Sequence, residues 1–178
     1  LTEDRKTVYY SLLDVSVPRP AYFGGADLYR MELASRREEA VAQSRPDFNI
    51  AAYALGRSFL LLLAADGKYG MNTDVDFYTL DYETLAVSPC AVYGESIGSS
   101  VGSDIRHGGG RTMKMDGDVL YFISTRFDSA GLYKLENGVV SPVMERGGSV
   151  DCFDRCGGKM LLCALWDMRA QELYDETG

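Results

Sequence analysis

Four segments of the chain share one order of positions: a short apolar block closing on Asp, a loop, then a block in which an apolar residue precedes Tyr. The apolar blocks are VYYSLLD ending at Asp14, FLLLLAAD at Asp66, VLYFISTRFD at Asp128 and MLLCALWD at Asp167. Their partners are DLYRMEL around Tyr29, DFYTLD around Tyr78, GLYKLE around Tyr133 and ELYDE around Tyr174. Blocks this short, bounded by turn residues, read as strands rather than helices. A further strand follows the Tyr block, as in LAVSPCAV and VVSPVME, where Val87-Ser88-Pro89 recurs as Val140-Ser141-Pro142. Another precedes each apolar block across a tight turn placed at Gly56-Arg57, Asp116-Gly117 or Gly157-Gly158. Asp-Gly and Gly-Gly supply the positive φ that two-residue hairpins require.

The repeat returns every ~40–55 residues, a period suited to four-stranded propeller blades. The fold class expected is all-β, a β-propeller fragment of about four blades, two complete and two partial, built from four-stranded antiparallel sheets. The boundaries fall near 1–47, 48–93, 111–147 and 148–178, with a long connection over 94–110. MELASRREEAVAQS (31–44) is rich in helix formers, but its apolar positions do not share one 3.6-residue stripe, so a hairpin is expected there. Such units bury their sheet faces by stacking on neighbours. The chain opens Leu-Thr-Glu-Asp rather than with Met, and an incomplete set of blades is expected to be part of a larger ring.

Charge narrows the partners. At −8, with no run of Lys or Arg longer than two, the chain lacks the basic footprint that nucleic acid or an anionic membrane needs. The longest apolar run, Phe59 to Ala65, is too short for a membrane-spanning helix, and no signal-peptide pattern opens the chain. Cys90, Cys152, Cys156 and Cys163 contain no C-x-x-C pair and stand with a single distant His, so no metal site or cofactor is expected. They read as reduced, buried, small apolar residues. A turn at Gly157-Gly158 sets Cys152 opposite Cys163, where an oxidising compartment could join them.

One stretch spells chemistry. Gly94-Glu95-Ser96-Ile97-Gly98 fits the G-x-S-x-G nucleophile elbow and His107-Gly108-Gly109-Gly110 the HGGG oxyanion motif. The elbow needs a helix behind its Ser, and the Gly-rich run that follows Ser96 opposes one, at about 1 kcal/mol per Gly. The HGGG loop also comes after the elbow, reversing the usual order. His107 is the only His and cannot serve both the oxyanion loop and the general base of a triad. No catalytic residue is assigned.

The pattern SVGSDIRHGGG followed by GDVLYFISTRFDSAGLYKLENG resembles the N-terminal propeller of prolyl oligopeptidase-family serine peptidases, in particular the acylaminoacyl-peptidase-like branch. The resemblance runs through most of the chain and is strongest from Ser100 to Gly147. It implies a non-catalytic propeller that filters access of short peptides and docks on an α/β-hydrolase domain of the same parent chain. That parent would be a cytoplasmic serine peptidase. The competing reading is a propeller unconnected with peptidases, serving as an interaction or ligand-binding scaffold.

In a blade, loops joining second to third strands and loops joining successive blades emerge on one face. The long loops lie there: Val15 to Asp27, Gly67 to Asp76 and Gly94 to Gly110. Long loops on one side of a rigid scaffold are where recognition resides. The candidate recognition residues are Arg19, Tyr22, Phe23, Tyr69, Asp104, Arg106 and His107. Bland roles compete with that one: Asp104 and Arg106 pairing or capping backbone, Tyr22 and Phe23 packing beneath their loop, His107 simply exposed. Glu38-Glu39 follows Arg36-Arg37 at a turn on the opposite face and reads as a solvated charge cluster. Trp166-Asp167 occurs once and lacks the Gly-His partner of WD repeats. The recurring Asp14, Asp66, Asp128 and Asp167 are expected to accept backbone N–H groups where each second strand stops. Unpaired strand edges at the two flanks predict self-association.

Overall fold

The computed structural model describes residues 1–2, 4–13, 25–45, 47–70, 73–101 and 110–175. Among these the regular elements are all strands. They are β1 (Thr7–Leu12), β2 (Asp27–Glu32), β3 (Glu38–Ala42), β4 (Asn49–Leu55), β5 (Phe59–Ala65), β6 (Asp76–Asp81), β7 (Val87–Ala91) and β8 (Ser96–Ile97), then β9 (Met113–Asp116), β10 (Val119–Arg126), β11 (Ser129–Glu136), β12 (Val139–Met144), β13 (Ser149–Cys156), β14 (Lys159–Leu165) and β15 (Glu172–Asp175). Contacts divide the chain into two compact units, Leu1–Tyr93 and Gly94–Gly178.

The first unit holds two antiparallel meanders, β1-β2-β3 and β4-β5-β6-β7. The expected hairpin over 31–44 is present as β2 and β3. In the second unit β9, β10, β11 and β12 pair in sequence, as do β13, β14 and β15. One parallel bridge, Ala130 to Ser149, links these two meanders. Among the described residues no sheet closes on itself.

The repeat read from the sequence becomes a repeat of pairings. Tyr29, Tyr78, Tyr133 and Tyr174 face Tyr10, Leu62, Phe122 and Leu162 across the ladder. A register shift falls just before the Tyr in three units, at Leu28/Tyr29, Phe77/Tyr78 and Leu132/Tyr133. Pro89 and Pro142 lie opposite Tyr78 and Tyr133 on strands that pair on one side only, where a missing N–H costs no ladder bond.

Each unit has its own core. In the first, Tyr9, Leu28, Ile50, Leu60, Leu62 and Leu80 pack between the two meanders, with Phe48 edge-on to Tyr78. In the second, Ile123, Leu132, Phe153, Leu162 and Trp166 do the same. Strand β5 is buried along nearly its whole length, which explains why its sequence runs apolar without alternation.

Three details differ from the sequence reading. Leu55 pairs with Leu60 and Gly56 donates to Phe59, so the β4–β5 turn centres on Arg57-Ser58 instead of Gly56-Arg57. Asp116 pairs with Val119, which centres that turn on Gly117-Asp118, with Gly117 at φ +64°. A type II′ turn needs its Gly at this first central position. Cys156 is exposed and Cys90, Cys152 and Cys163 are half-buried, because Cys156 flanks the Gly157-Gly158 turn, beyond the reach of the core.

Candidate functional site

The long connection of the second unit leaves the sheet and returns to it at one residue. Strand β8 runs along the end of β10, Ser96 opposite Thr125 and Ile97 opposite Ser124, while β9 flanks Val119 to Phe122. Between them sits Ile123, whose carbonyl accepts from Gly98 N–H at 2.7 Å and whose N–H donates to Thr112 O at 2.9 Å. Residues 98–101 and 110–112 are therefore the two arms of a pinned neck, and residues 102–109 between them lie outside the described ones.

Hydroxyls reinforce that neck. Ser124 donates to Ser96 O at 2.8 Å, and Thr125 Oγ1 donates to Gly98 O at 2.9 Å while accepting from Ser100 N–H at 2.9 Å. Fully buried Ser149 places its Oγ 2.6 Å from Val101 O, 2.9 Å from Asp151 Oδ1 and 2.9 Å from Ser99 Oγ; Ser99 Oγ lies 2.8 Å from Val101 O. Each hydroxyl has one proton, so with Ser99 donating to Val101 O the Ser149 proton is free for Asp151, and with Ser149 donating to Val101 O the Ser99 proton goes to Ser149 Oγ. On the return side Phe153 N–H donates to Arg111 O at 2.9 Å. Gly110 lies so close to Cys152 that a Cβ there would overlap both Cβ and Sγ.

Ser96 stands in an antiparallel pair, and residues 98–101 behind it are not helical. The strand–turn–helix of a nucleophile elbow is not built at this serine.

Other side chains project from the same end of the sheet. Past the Ala130–Ser149–Leu165 row lie the turns at Phe127-Asp128 and Asp167-Met168. Phe127 and Met168 are fully exposed and both take positive φ, +54° and +59°. Arg146 pairs with Asp167 and lies over the buried Trp166 ring at 5.0 Å. Asp167 thus serves a turn and an ion pair. Asp66 does accept a backbone N–H, from Lys68 at 2.9 Å, and Asp128 occupies the second place of its turn; Asp14 lies outside the described residues.

In the first unit, loop bases and sheet-to-sheet connections meet at one end. Asp27 accepts from Ser44 N–H at 2.9 Å and Asp76 from Tyr93 N–H at 3.0 Å. Tyr69 projects from the β5–β6 loop, 68% exposed, with Lys68 Nζ 5.1 Å from its ring centre. It is the one predicted recognition residue among those described; Arg19, Tyr22, Phe23, Asp104, Arg106 and His107 lie outside them. Glu39 is more than a solvated charge, since it pairs with Arg30 at 2.7 Å, and Arg30 also donates to Tyr82 O at 2.8 Å. Sequence reasoning missed the pinned neck. Its signal was Ser124-Thr125, hydroxyls at the end of an otherwise apolar strand.

No protein-family model matches the chain, and no curated protein matches it. Solved structures do. The β-propeller domain of the Trilobed protease from Pyrococcus furiosus superposes with a TM-score of 0.67 at 18% identity, covering 96% of this chain and 49% of that one. The fold is that of a β-propeller. The acylaminoacyl peptidase of Pyrococcus horikoshii gives a TM-score of 0.66 at 19% identity over 96% of this chain and 24% of the peptidase. TolB from Acinetobacter baumannii gives 0.56 at 18% identity, covering 98% and 39%. This chain thus spans about half of the Trilobed protease propeller chain and about a quarter of the acylaminoacyl peptidase. At these identities the likeness is one of fold.

Proposed function

We propose that the chain is a non-catalytic propeller of a cytoplasmic serine peptidase, filtering access of short peptides and docking on an α/β-hydrolase domain of the same parent. The four meanders are read as blades, two of them four-stranded and two partial. The observation carrying this reading is the neck formed by residues 98–101 and 110–112, held by buried hydroxyls at the sheet end where Phe127 and Met168 also project. Rigidly rooted loops on one end of a scaffold are where recognition residues concentrate. The likeness to peptidase propellers supplies the partner class by analogy.

The coding sequence adjoining Gly178 tests it. A G-x-S-x-G between a strand and a helix, followed by Asp and then His, supports the reading; a stop codon or a secretion signal supports a free-standing scaffold. In a parent with the hydrolase, replacing residues 102–109 by a Gly-Ser linker should raise kcat/KM for long peptides relative to short ones. An unchanged ratio would remove the filter from the proposal.

A further inference from the structure

Cys152 and Cys163 are ladder partners on the β13–β14 hairpin. Antiparallel partners have Cα atoms about 4.5–5.5 Å apart, inside the span of about 4.4–6.8 Å that a disulfide bridges. As ladder partners, the two residues put their side chains on one face of the hairpin. The first unit contains the same hairpin, with its register shift at Ile50/Ala52 matching the one at Val150/Cys152. There the equivalent pair is Ala52 opposite Leu63. Packing at this position is therefore met without sulfur, and two facing thiols are not something the fold requires. On its other side Cys152 supports Gly110, on the return arm of the neck, and the next residue along, Phe153, donates to Arg111.

We propose that Cys152 and Cys163 form a reversible dithiol–disulfide couple that clamps the 110–112 arm of the neck. The oxidant class is a low-molecular-weight disulfide such as oxidised glutathione. The Cys152 thiolate attacks one sulfur of that disulfide, forming a mixed disulfide and expelling one glutathione thiolate. Cys163 gives its proton to solvent and attacks the Cys152 sulfur, forming the Cys152–Cys163 bond and expelling the second glutathione. Two protein thiols lose two electrons, and one oxidised glutathione gains them to become two glutathione molecules. Burial, with the neighbouring Cys152 and Asp151, pushes the Cys163 thiol up, so the first, intermolecular attack is given to Cys152 and Cys163 acts only once the mixed disulfide is held beside it.

The test equilibrates the 178-residue chain with mixtures of reduced and oxidised glutathione, then alkylates and maps the cysteines. The expected product is one intramolecular Cys152–Cys163 cross-link, reversed by excess thiol, with Cys90 and Cys156 still open to alkylation or at most carrying glutathione. Amide exchange at Phe153 should slow at least several-fold on oxidation. Cys152→Ala, which copies Ala52 of the first unit, should abolish both the cross-link and the redox dependence of that exchange. Glutathione on Cys156 with the pair still fully alkylated at every ratio would overturn the couple. Unchanged exchange at Phe153 in cross-linked protein would overturn the clamp.

Discussion

The amide of Gly98 donates to the carbonyl of Ile123 at 2.7 Å, while Ile123 N–H reaches Thr112 on the other arm of the neck. A residue in the middle of a core strand thus holds both arms of the neck. This relationship ties the hydrophobic pattern of β10 to the face where recognition is proposed, because burying Ile123 in the core fixes its backbone for both bonds.

Ser149→Ala tests the second tier of that neck. Ser149 is fully buried, and its loss leaves Asp151 or Val101 short of a donor. Removing one partner of a buried polar group costs about 1–3 kcal/mol, and Ser99 retains one bond, so a loss of about 1–2 kcal/mol is expected. The denaturation midpoint should fall with the m-value unchanged. A shift too small to resolve would mean that Ser99 alone carries the neck.

Gly148→Ala addresses the joint between the two meanders of the second unit. Gly148 O accepts from Ala130 N–H at 2.9 Å, beside the parallel bridge. Its φ is +112°, and a Cβ there would overlap Leu165 O and press on Trp166 Cδ1. Strain of about 1–3 kcal/mol is the minimum expected from the backbone alone, with the overlap added to it. Thermal unfolding should show a Tm lower by about 5 °C or more. A tolerated alanine would show that the joint relaxes freely.

Phe127→Gly should do the opposite. Phe127 is the first central residue of a two-residue hairpin, with Arg126 opposite Ser129, and it holds φ +54° while wholly exposed. A side chain there costs about 1–2 kcal/mol, of which the greater unfolded-state freedom of Gly takes back about 0.5–1. A net gain of about 0.5–1 kcal/mol is expected by equilibrium unfolding. An aromatic retained at such a cost on the proposed recognition face is the first side chain to test for contact in the parent peptidase.

The strand repeat was legible because it is local: the Tyr of each repeat and its neighbouring apolar block are joined by one loop, and all four pairings follow from that order. Cys152 opposite Cys163 followed from Gly157-Gly158 in the same way. Turn centres slipped by one residue where Gly could sit on either side of the loop, as at Gly56, which closes the ladder against Phe59 instead of entering the turn. The second tier of the neck was not legible. Ser99 and Ser149 touch across two strands and the neck, and nothing near either residue in the sequence announces the other. The exposure of Cys156 was misjudged for a related reason, since residue type predicts burial on average and turn position decides it here.

Acid sensitivity should be traceable to Asp81 at the β6–β7 turn. Its carboxylate accepts from the N–H of Thr84 at 2.7 Å, the hydroxyl of Thr84 at 2.9 Å and the N–H of Glu83 at 2.9 Å, which together hold its pKa below the ordinary carboxylate value. These bonds favour the charged form. A folded-state pKa below the unfolded one adds stability that is fully present above the unfolded value and is lost as pH falls through the folded value. Wild type should therefore lose more stability between about pH 5 and pH 2 than Asp81→Asn, whose side chain keeps an acceptor but cannot titrate. Denaturant midpoints across that range for both proteins, with Thr84→Ala as a partial case, give the comparison. Parallel pH profiles for wild type and Asp81→Asn would show that the turn is equally stable with a neutral carboxyl.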